Sequence, residues 1–63
     1  MPLTLSANIP DPDGFYDDLL QAHDGLSDAE SHALNARLVL ILCNHIGDRT
    51  LLRDAIDAAK TTR

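Results

Sequence analysis

Tryptophan is absent from this 63-residue chain, and Phe15 and Tyr16 are its only aromatic residues. A core built from such a sequence must be thin and aliphatic, and a chain this short buries only about 60% of its unfolded surface. Cys43 is the single cysteine, so no disulfide can close within the chain, and one free thiol fits a reducing compartment. Bases are scarce too: five against ten acids give a formal charge of −5, the wrong balance for affinity won by neutralising phosphates. No apolar run approaches the ~20 residues of a membrane span, and Met1 to Asn8 has no basic stretch leading into an apolar one. A soluble cytoplasmic protein is expected.

What is present is helical patterning. Residues 1–10 carry Leu3, Leu5 and Ile9 among Pro, Thr, Ser and Asn, which reads as an extended N-terminal arm able to lie over a helical body. Residues 11–63 read as a single helical domain. Asp11-Pro12-Asp13 opens the first helix: Asp caps, Pro suits the first position, and a further acid suits the positive end of the dipole. This helix is expected over Pro12 to His23, with Phe15, Tyr16, Leu19, Leu20, Ala22 and His23 apolar and Asp17, Asp18 and Gln21 wet. Gly25 supplies the left-handed residue that closes it, and Leu26 folds back on its last turn.

Ser27-Asp28-Ala29-Glu30 matches the capping box, in which the Ser oxygen and the Glu carboxylate satisfy each other's backbone N–H groups. The second helix is expected from Asp28 to about Ile46, where Gly47 terminates it and Asp48 caps a third over Arg49 to about Lys60. The third should bury Leu52, Ala55, Ile56 and Ala59, with Leu51 on its flank and a loose Thr-Thr-Arg tail. The fold class is all-α: a small three-helix domain, an antiparallel helical hairpin plus a third helix, with an extended arm.

The second helix is the unusual one. On a wheel of 100° per residue, Glu30, Arg37, Asn44 and Asp48 fall on one narrow polar stripe. Leu34, Leu38, Ile41 and His45 form one side, and Leu42, Ile46, Val39 and Cys43 continue around almost to Leu40. A helix apolar nearly all round is buried on all sides. Either the arm and the flanking helices cover it, or another chain does. The second reading is preferred, because folds this small rarely stabilise themselves alone. The expected interface is Leu34, Asn35, Leu38, Val39, Ile41, Leu42, His45 and Ile46, in a homodimer or against a larger protein.

Candidate chemistry is sparse. Cys43 and His45 are two residues apart and diverge on a helix, and His23 and His32 have no ligand three or four residues away, so no metal site is expected. His23 and His45 each precede a terminal glycine by two residues, where an imidazole can meet open carbonyls or the negative helix end. Asp11-Pro12-Asp13-Gly14 fails as a calcium loop, because Ile9 would occupy the first ligand position. Cys43 lies mid-helix in apolar company with no base in reach, which suits a buried small hydrophobe. Asn35, Arg37, Asn44 and His45 interrupt the most apolar helix and must find partners; Asn35 and His45 are candidates to fix helix register. No catalytic residues, cofactor or metal are expected, and the function read from the residues is non-catalytic interaction through the second helix. The alternative is a helix-turn-helix-like nucleic-acid-binding regulator presenting Arg49, Thr50, Arg53 and Lys60, a footprint opposed by Asp54 and Asp57.

Phe15-Tyr16-Asp17-Asp18-Leu19-Leu20, His23-Asp24-Gly25-Leu26-Ser27, Leu34-Asn35-Ala36-Arg37-Leu38 and Asn44-His45-Ile46-Gly47-Asp48 together resemble a family of short bacterial proteins catalogued as a domain of unknown function, DUF2783. The resemblance covers nearly the whole chain, and Cys43 stands where such proteins are expected to carry Ala. It implies a bacterial, stand-alone polypeptide and assigns no activity. Similar proteins occurring beside flavin-dependent aromatic hydroxylases imply an accessory subunit of a metabolic enzyme, with a flavin-dependent hydroxylase as candidate partner. The chain itself has no glycine-rich phosphate loop with which to bind a flavin.

Overall fold

A computed structural model describes residues 3–61, and the expectations for Met1, Pro2, Thr62 and Arg63 lie outside it. The described residues form three helices and no strand: α1, Pro12–His23; α2, Asp28–Ile46; and α3, Arg49–Thr61. The first two have the expected ends, and α3 runs one residue past Lys60, so Thr61 is helical rather than part of a loose tail.

Local chemistry explains each boundary. The Asp11 carboxylate accepts the Gly14 amide at 3.1 Å, taking up one of the amides that a helix start leaves open. The capping box of α2 is complete, with the Glu30 amide donating to Ser27 Oγ at 3.2 Å and the Ser27 amide donating to Glu30 Oε1 at 2.9 Å. These contacts hold the Glu30 carboxyl below its ordinary value of 4.5, the Ser27 backbone N–H contributing most and its hydroxyl next, against slight desolvation. Asp48 Oδ1 accepts the Leu51 amide at 3.1 Å and opens α3. Gly47, at φ 69°, returns its amide to the Cys43 carbonyl and closes α2.

The end of α1 differs in detail from the expected glycine cap. Asp24 is the cap, at φ −60° and ψ 130°; Gly25 follows at φ 76°, and the Leu26 amide reaches the His23 carbonyl at 3.2 Å. That is a type II turn, in which the third residue needs positive φ. Gly25 therefore reverses the chain one step beyond the helix. Leu26 is left half-buried beside it.

Packing is open. None of the described residues is buried, and the chain exposes 5675 Å². The radius of gyration is 13.4 Å, against about 10.6 Å for a compact domain of this length. α1 and α2 form an antiparallel hairpin: the C-terminal His23 of α1 bonds the first turns of α2, while Phe15, near the α1 start, shares a groove with Ile41, near the α2 end. Half-burial in α3 falls on Leu51, Leu52, Ala55 and Ala58, so the expected inner residues Ile56 and Ala59 are exposed and the flanking Leu51 is not. The arm is irregular and does not cover the body, since Leu5 is 80% exposed and Ile9 is also exposed; only Leu3 is half-buried.

Candidate interaction surface on the second helix

α2 meets α1 along one side. That side begins at a polar junction. His23 Nε2 lies 3.0 Å from Asn35 Oδ1 and Nδ1 lies 3.0 Å from Ser31 Oγ. The amide oxygen can only accept, so Nε2–H donates to it, and in the neutral ring Nδ1 accepts the Ser31 hydroxyl proton. One imidazole thus uses both ring nitrogens to set the register of α1 on α2. His23 stands in the last turn of α1, at the negative helix end, but its ring bonds α2 rather than open carbonyls, and it gives Asn35 a partner within its own chain.

Past the junction the two helices diverge around an apolar groove of about 420 Å³. α1 contributes Phe15, Leu19 and Ala22, α2 contributes Leu34, Leu38 and Ile41, and Asp18 and Arg37 stand at its edge. Exposure rises toward the mouth: Leu34 and Leu38 are half-buried, and Ile41 is 65% exposed. Three of the expected interface residues, Leu34, Leu38 and Ile41, therefore line the hairpin groove of their own chain.

The opposite side of α2 is largely exposed. Val39 is 57% and Leu40 70% exposed, Ile46 is exposed as well, and Cys43 is half-buried. Along this side Ala29, Ala36 and Cys43 recur every seven residues, and so do His32, Val39 and Ile46. The combined spacing alternates three and four, the heptad seam of a helix that packs on another helix. The polar stripe at Glu30, Arg37 and Asn44 separates this seam from the groove. Its small positions went unrecognised in the sequence because alanine adds little apolar weight; their seven-residue spacing was the available signal.

Leu42 and His45 are also exposed. His45 lies in the last turn of α2, beside the negative helix end, one of its two expected placements, and among the described residues its imidazole makes no hydrogen bond to open carbonyls. Among the described residues no three of His, Cys, Asp and Glu come together in a way that could hold a metal ion, and no helix is long and apolar enough to cross a membrane.

Neither the curated proteins nor the solved structures contain a match to this chain. The family model described as "Protein of unknown function (DUF2783)" matches residues 3–61, which takes in the arm and all three helices. The chain belongs to the DUF2783 family.

Proposed function

We propose that this protein is a non-catalytic helical interaction module that completes its fold by associating through α2, as a homodimer or as an accessory subunit of a larger bacterial enzyme. The observation that carries this reading is area. A monomeric protein of 6.9 kDa exposes about 4,000 Å². The 5675 Å² exposed here exceeds that by about 1,700 Å². Val39, Leu40, Ile41, Leu42 and Ile46 of α2 are among the exposed apolar residues, and an apolar patch larger than a few hundred Å² marks an interaction site.

The nucleic-acid reading has less support. Arg49 and Arg53 are exposed on α3, but Asp54 and Asp57 are exposed on the same helix, and the net charge is −5.

Light scattering after size exclusion, run beside far-UV circular dichroism over a concentration series, tests association. The expected result is a mass above that of one chain, with helicity that falls on dilution. A monomer that keeps full helicity at every concentration overturns the proposal.

A further inference from the structure

We infer that the outer side of α2 is covered by α2 of a second copy of this chain, running antiparallel, a conclusion that rests on the associative reading above and names its partner. Area sets the scale. The surplus of about 1,700 Å² belongs to the whole chain, arm and groove included, so it sets a ceiling of about 3,400 Å² for a pair, a ceiling that leaves room for the roughly 2,000 Å² at which obligate homodimers begin.

Self-complementarity identifies the occupant. A two-fold axis perpendicular to α2 and passing between Ala36 and Val39 places residues whose numbers sum to 75 opposite one another. Ala29 then faces Ile46 of the second copy, Ala36 faces Val39, and His32 faces Cys43. Each large aliphatic residue meets an alanine, as close packing of two helices requires. The contact is isologous, each pair occurring twice. A parallel pairing would stack Val39 on Val39 and Ile46 on Ile46, and would leave the alanine layers hollow. Charge also permits self-association: the chain carries −5, but no carboxylate, lysine or arginine sits in the seam. Like charges are therefore kept from the contact.

The native thiol provides the test. In the antiparallel pair the two Cys43 residues stand about 16 Å apart along the axis, eleven residues at 1.5 Å each. A disulfide needs Cα atoms about 4 to 7 Å apart. The wild-type chain should therefore resist oxidative cross-linking, whereas His32→Cys with native Cys43 should convert to a disulfide dimer under mild oxidation. His32→Cys combined with Cys43→Ser should lose that product. Circular dichroism of each variant confirms that the helices remain.

A disulfide dimer formed through Cys43 alone overturns the antiparallel pairing. If scattering shows a dimer and no cysteine pair cross-links, the seam is not the contact, and this inference falls while the associative reading stands. A fully helical monomer overturns both.

Discussion

Replacing His23 with alanine removes the side chain that, among the described residues, ties α1 to α2 by hydrogen bonds. The imidazole makes two such bonds of 3.0 Å, one part-buried at Ser31 and one exposed at Asn35. Each has a net worth of about 0.5 to 1.5 kcal/mol, and the partners left behind can turn to water, so no large penalty for stranded polar groups is added. His23→Ala should therefore cost about 1 to 2 kcal/mol. For a domain of this size each kcal/mol moves the melting temperature by about 4 to 8 °C, so Tm should fall by roughly 5 to 15 °C. The assay is thermal denaturation followed by circular dichroism at fixed protein concentration, since any association shifts Tm by mass action. A double-mutant cycle with Asn35→Ala isolates the pair and should return a coupling of about 0.5 to 1.5 kcal/mol. A loss below about 0.3 kcal/mol, or zero coupling, would refute the assignment of His23 as the register-setting residue.

The turns and caps make sharper distinctions. Gly25→Ala and Gly47→Ala should each cost about 1 to 2 kcal/mol in denaturant titrations, because the new Cβ meets open space at Gly25 and only the Asn44 carbonyl at 3.7 Å at Gly47, leaving the left-handed backbone as the cost. A Cβ at Gly14 would collide with the Asp11 carboxylate, so Asp11→Ala should cost about 1 kcal/mol in the wild type and nearly nothing beside Gly14→Ala; equal costs in both backgrounds would remove Asp11 as the cap. Ser27→Ala should lower stability by about 1 kcal/mol and abolish part of the acid sensitivity of α2. The sign follows from Glu30: its carboxyl is lowered in the folded chain, so its contribution is present above pH 4.5 and lost as pH falls through the lower folded value. Helicity titrated from pH 5 downward should fall in the wild type and fall less in Ser27→Ala. Leu40→Glu places a charge on a residue already 70% exposed, so it should weaken association at least tenfold, read from the concentration dependence of mass, while sparing the hairpin.

Helix ends were legible because their causes are local. Asp11, the Ser27 and Glu30 pair, Gly47 and Asp48 act within three or four residues of themselves, and each performs its expected role. What a sequence wheel does not carry is which neighbour arrives. The bonds of His23 reach Ser31 and Asn35 across a reversal of the chain, eight and twelve residues away. On α3 the apolar weight of Ile56 drew the expected inner face toward it, whereas the half-buried line passes through Leu51, Ala55 and Ala58. On α2 the apolar excess was legible as a quantity, and its division into a hairpin groove and an outer seam required the position of α1.

The absence of any fully buried residue among those described has a calorimetric consequence. The heat-capacity increment of denaturation scales with the apolar surface newly wetted, and one isolated chain wets about 4,300 Å² in all where a compact chain of 6.9 kDa would wet about 6,000 Å². Its heat-capacity step should be smaller than that of a compact domain of the same length. In an assembled pair the parting of the chains adds at most about 3,400 Å² to the roughly 8,600 Å² that two melting chains wet. The temperature of greatest stability then depends on the interface as well as the fold, set by what each copy hides from water alone and what the two hide together.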